Sequence, residues 1–211
     1  MFKNNKIYKI DKNGNKTRIF FIPGLTIRFY GKNNVVNIGY PYPKFNFCKI
    51  KCGNNCNISI GSSKNRVKNL KIFADANNAE CKIGENFQCT NGCDITIRHE
   101  DNLKVTIGDN CLFGKNVEIR ASDAHTIYNI KTNEPVNYGK NISIGSHCWF
   151  GHNVSVMKGT ILPDNCVVAL GSILTSEYSE ANSIYAGCPA KLIKTDINWR
   201  KEPPKISGII N

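Results

Sequence analysis

No stretch of this 211-residue sequence is apolar enough to cross a bilayer as a helix; the longest apolar run, near residues 19–25, is interrupted by Pro23 and Gly24. The opening MFKNNKIYKI lacks the apolar region of a secretion signal, so the expected compartment is the cytoplasm. Aromatic residues make up only 9% of the chain, which suits a narrow interior. Ten cysteines are present but no Cys-x-x-Cys pair, which argues against zinc ribbons. A formal charge of +12 comes without any run of four basic residues, helix-turn-helix or zinc finger, so nucleic acid is not an expected partner. The cations look dispersed; they suit either a solvated surface or an anionic ligand.

What the chain has is a period of six. Ile144, Phe150, Val156, Leu162, Val168 and Leu174 recur at that spacing, whereas a helix repeats its apolar face every three or four residues and a hairpin sheet every two. A strict six fits a prism-like coil in which each step is one short strand and one corner. Cys148, Val154, Thr160, Cys166 and Ser172, four places after each start, are small enough to share the interior. Gly145, Gly151, Pro163 and several asparagines suit the corners. Upstream copies VNIGYP, ISIGSS, CKIGEN, VTIGDN and ISIGSH carry Ile-Gly pairs 22, 23, 24 and then 37 residues apart. The first three intervals read as one 18-residue turn with a small insertion, and the fourth as a turn carrying a long excursion over 122–141. Excursions of that kind often carry function.

One domain is expected: an N-terminal cap over 1–30, coils over 31–178 and a C-terminal segment over 179–211. Ile7, Tyr8 and Ile10, a turn at 11–15 and the apolar run 19–22 suggest a capping hairpin. Residues 195–201 suit one or two turns of helix ended by Pro203 and Pro204. Cys48, Cys52, Cys56, Cys89, Cys93, Cys111, Cys148 and Cys166 fall in phase with buried neighbours and read as packing residues.

Hexads, Asp123-x-His125 at the start of an excursion, Trp149-x-Gly151 24 residues after that histidine, and the closing AGCPAK (186–191) together resemble the hexapeptide-repeat acyltransferases. The resemblance is good over about 81–194, and EIRASDAHTIY is most similar to bacterial enzymes that O-acetylate capsular and other surface polysaccharides. It implies an all-β, left-handed parallel β-helix, acetyl-CoA as co-substrate without a metal, a sugar or polysaccharide acceptor, and a homotrimer with sites between subunits.

An alcohol attacking a thioester must lose its proton, and imidazole suits that task near neutral pH. The resemblance assigns it to His125. Asp123, two residues earlier, would share a face with His125 on an extended segment and orient the ring. Asn91 and Asp94, one coil earlier, are weaker candidates for the site lining. The resemblance places Trp149 beside the donor channel and the donor's pantetheine arm along Gly151, His152, Gly171, Ser172 and Thr175. Lys191 and Lys194 would meet the coenzyme's phosphate. Direct transfer in a ternary complex is expected, with no acyl-enzyme.

Three alternatives have their own signals. Transfer to an amine of an amino sugar or small molecule shares every residue above. A zinc enzyme on this fold would use His147 and His152, but the third ligand position near 111 holds cysteine. A non-catalytic solenoid scaffold would have little use for the excursion or the basic C-terminal pair.

Overall fold

The computed structural model describes residues 4–204, and within them the chain forms strands, turns and loops but no helix. Its strands stack mainly in parallel, one coil on the next, as a left-handed parallel β-helix. A first face stacks Val35–Gly39, Asn57–Ile60, Glu80–Ile83, Lys104–Ile107, Ile142–Ile144 and Ile161–Leu162. A second stacks Lys44–Asn46, Arg66–Lys68, Trp149–Phe150, Val167–Val168 and Ile184–Gly187. The third stacks Leu25–Phe29, Cys48–Asn54, Leu70–Asn77, Ser155–Val156 and Ile173–Leu174. The long strands Gln88–Thr96 and Leu112–Arg120 run through the corner from the second face into the third.

Register follows the repeats. Ile38 lies beside Ile60, then Ile83, Ile107, Ile144 and Leu162 in successive coils. A slip of one residue would turn each inward side chain outward, so burial fixes the pairing. All six hexad residues are at most 2% exposed, and the five residues at the fourth place are fully buried. Phe87, Phe113 and Phe150 stack inside the second face with centroids 5.1 and 4.4 Å apart. All ten cysteines are free and nine are buried, Cys188 being exposed. Burial pushes the Cys81 and Cys89 thiols up to about 12, so they stay protonated and unreactive at neutral pH.

Corner chemistry is dominated by asparagine at positive φ, which this residue tolerates better than most. Asn33, Asn55, Asn78 and Asn102 also pass amide hydrogen bonds from coil to coil, at 3.2, 3.1 and 2.9 Å. At Gly61 a Cβ would lie 2.6 Å from the Gly84 carbonyl oxygen, so the close approach of those corners requires glycine.

Four expectations change. The cap is a hairpin of Lys6–Ile10 with Lys16–Arg18, not with 19–22, and Lys6–Ile10 also pairs in parallel with Val35–Gly39. Leu25–Phe29 pairs with Cys48–Asn54, so coiling starts ahead of residue 31, where Ile22 and Leu25 already fill the interior. At the other end Ile184–Gly187 still pairs in parallel with Val167–Val168, past residue 178, before Ala190–Lys194 folds back antiparallel. Finally, 195–201 is irregular rather than helical. Its Trp199 is buried to 9% exposure, stacked on His147 at 4.5 Å, with Nε1 donating to the His147 carbonyl at 2.7 Å. One or two helical turns contribute too little to compete with that burial.

Candidate active site

After Arg120 the chain leaves the third face and starts the first face again only at Ile142. The excursion is therefore a flap at the corner between those faces. Tyr128 bridges Pro135, and Val136 N donates to Ile127 O at 2.8 Å. Its root is fixed to the coils: Ser122 Oγ donates to Arg98 O at 2.7 Å, Gly139 N to the Glu100 carboxylate at 2.6 Å, and Lys140 N to Ala121 O at 3.0 Å. Ile127, Tyr128, Ile130, Val136 and Tyr138 leave the flap strongly exposed, Ile130 at 90%.

His125 stands exposed near the start of this flap, and among the described residues its ring has no hydrogen-bond partner. The expected pairing with Asp123 is not formed. Ala124, between them, has φ of 70°, so the segment is kinked and alternation along an extended strand does not apply. A left-handed alanine costs about 1–2 kcal/mol. Asp123 is instead held by the Lys158 ammonium and by Asn137, whose Nδ2 donates to Asp123 Oδ2 at 2.9 Å. Lys158 chiefly, opposed by partial desolvation and helped by Asn137, holds the Asp123 carboxyl below the usual carboxylate range. Lys158 and Asn137 were missed in the sequence. Lys158 follows the hexad residue Val156 by two places, but nothing in the period says which corner lysine faces the flap.

A second group lies on the second face and its corner with the third. Trp149 projects outward there, 41% exposed, between Leu112 and Val167. Its ring also meets Trp199 at 5.9 Å, a contact invisible to sequence periodicity. Gly151 and His152 follow, with Gly171 N donating to His152 O at 2.9 Å. Lys191 and Lys194 are exposed on the antiparallel strand beside Ile184–Gly187. In a triangular section the flap corner is the one opposite this face. One chain alone thus separates His125 from Trp149.

The remaining candidates divide. Asp94 lies on the third face one rung from Glu118, within 3.4 Å of Lys71, on the face that leads to the flap root. Asn91 occupies the corner between second and third faces and accepts from Asn69 at 2.7 Å. Thr175 is exposed, its N–H 3.3 Å from the Tyr178 hydroxyl. Ser172 is fully buried with Oγ accepting from Gly187 N at 3.1 Å, so its side chain faces the interior and not a ligand. His147 is stacked under Trp199 and Cys111 is buried with its thiol toward Gly145 O, an arrangement that does not assemble them with His152 as metal ligands.

Charge is less dispersed than its spacing suggested. Residues 12–74 contain twelve Lys and Arg and no Asp or Glu, which leaves 16 of each sign elsewhere; this segment carries the whole +12. On the third face an outward row of one residue per rung runs Arg28, Lys51, Phe73, Thr96, Arg120; its free cations lie at the Arg28–Lys51 end, and Arg120, at the flap root, is paired with Glu118 at 3.2 Å.

Residues 104–121 and 141–176 match the hexapeptide repeat of succinyl-transferase. A polysialic acid O-acetyltransferase of Neisseria meningitidis is 34% identical over 179 residues, covering 82% of this chain and 78% of that protein. One from Escherichia coli O1:K1 is 34% identical over 101 residues, 48% of this chain; the match spans only 33% of that relative's length. The crystal structure of the polysialic acid O-acetyltransferase OatWY superposes with a TM-score of 0.52 over 99% of this chain and 95% of that one, at 24% identity, a likeness of fold.

Proposed function

The chain belongs to the hexapeptide-repeat acyltransferases, and we propose that it moves acetyl from acetyl-CoA to a hydroxyl of an acidic bacterial surface polysaccharide. His125 is the general base. It takes the hydroxyl proton as the oxygen bonds to the thioester carbonyl carbon; the carbon–sulfur bond then breaks and the proton passes to the departing thiolate. No cysteine is needed as a nucleophile, and the buried thiols are unsuited to that role.

Acetyl-CoA lies along the second face, its arm against the backbone of Gly151, His152 and Gly171 and its phosphate near Lys191 and Lys194. The His152 N–H stabilises the developing oxyanion, since the Gly151 N–H is given to Val168 O at 2.8 Å. Trp149 walls the channel. Since one prism holds His125 and Trp149 apart, the site is completed between subunits of a homotrimer. The flap's exposed apolar side chains support this reading, because an isolated flap has nothing of its own to cover them.

The observation that carries the acidic acceptor is the placement of charge. Rungs are about 4.8 Å apart, so the row from Arg28 to Arg120 spans about 19 Å, enough for several sugars of an anionic chain to lead a hydroxyl to the flap. Acetyl transfer to acidic and neutral glycan polymers, with wild type and His125→Ala, tests the reading. Preferred acetylation of the acidic polymer, weakened by salt and abolished in the variant, is expected. Equal use of neutral polymers would remove the acidic acceptor, and full turnover by folded His125→Ala would remove the base.

A further inference from the structure

We propose that Asn137 is the positioning residue of His125, an inference that rests on His125 being the base. One side-chain amide on the returning limb of the flap binds three sites that bracket the histidine. Its Nδ2 donates to Asp123 Oδ2 and to the His125 carbonyl, both at 2.9 Å, and its Oδ1 accepts from Ile127 N at 2.7 Å. The amide thus uses both donors and an acceptor, on residues 123, 125 and 127 in turn.

Those bonds fall where the backbone needs them. Ala124, at φ 70°, has no side-chain group with which to support a left-handed turn, unlike the asparagines that fill most such positions in this chain. Asn137 holds both sides of the kink. Lys158 then ties the assembly to the coil, bonding Asp123 and donating to the Asn137 carbonyl at 2.6 Å. A continuous chain of contacts therefore runs from a coil corner through Asn137 to the backbone of His125, while the imidazole stays free for the acceptor. Neither close analogue fits: aspartate in this place would turn a carboxylate toward Asp123 and the His125 carbonyl, and glutamine adds a methylene to a site bonded on three sides.

Steady-state kinetics of Asn137→Ala and the near-isosteric Asn137→Asp, alongside His125→Ala, test the assignment. A base displaced by about 1 Å loses about 100-fold in rate. Both Asn137 variants should lose about 10–100-fold in kcat with KM for acetyl-CoA within twofold of wild type. Hydrogen exchange at the Ile127 amide should quicken in Asn137→Ala, which loses the accepting Oδ1, while coil amides keep their rates. If Asn137→Ala does not assemble, Asn137→Asp alone decides. Inactive His125→Ala beside fully active Asn137 variants would overturn the positioning role, as would a loss expressed in donor KM with kcat intact. Active His125→Ala would instead overturn the base assignment, and this inference with it.

Discussion

Replacing Lys158 by methionine removes the ammonium that anchors the flap while keeping most of the side chain's apolar length. The Lys158 and Asp123 side chains are 19% and 30% exposed, so the pair is only partly screened. Hydrogen bonds to charged groups contribute about 1.5–3 kcal/mol, and solvent screening reduces this to about 1–2 kcal/mol here. That corresponds to a factor of about 5–30 in the equilibrium between docked and released flap. Native-state hydrogen exchange measures it directly. The amides of Ile127, bonded to Asn137, of Val136, bonded to Ile127, and of Lys140, bonded to Ala121, should exchange about 5–30 times faster in Lys158→Met. The Gly145 amide, bonded to Leu162 O within the coil, serves as the internal control and should not change. Flap rates within twofold of wild type, or an equal acceleration of coil and flap, would refute the anchoring role.

Acidity should release the same anchor with a defined sign. Because the Asp123 carboxyl is held low, chiefly by Lys158, its stabilisation is present above the ordinary carboxylate value of about 3.9 and is lost as pH falls through the lowered folded value. The exchange difference between wild type and Lys158→Met should therefore be constant from about pH 7 to 5 and vanish only in stronger acid. Gly61→Ala drives a methyl into the Gly84 backbone and should cost about 1–3 kcal/mol, lowering Tm by about 2–12 °C. Gly171→Ala, with φ of 71° but open space around the added methyl, should cost about 1–2 kcal/mol from the backbone alone, read by thermal unfolding. Iodoacetamide should add one group per native chain, at exposed Cys188, and reach all ten cysteines only after unfolding; mass spectrometry counts the adducts.

The coil was legible because burial in a narrow prism imposes a period that composition cannot hide: each of the six hexad residues and its Ile-Gly stack lies where spacing placed it. The flap was legible as the place where the period fails. Its internal geometry was not. Whether Asp123 faces His125 depends on the sign of one φ at Ala124 and on a lysine 35 residues further along the chain, and neither leaves a mark in local spacing. Trp199 likewise looked like part of a short helix, because local propensity says nothing about a distant histidine on which an indole can stack. Charge segregation was present in the sequence, but it shows when acids are counted as well as cations.

In the proposed site, His125 of one subunit meets the donor channel of another. His125→Ala and Trp149→Ala, each inactive alone, should regain acetyl transfer when co-assembled in mixed trimers, since a junction pairing His125 of one variant with Trp149 of the other restores an intact site. Mixed trimers verified by native mass spectrometry that remain as inactive as the parents would contradict it.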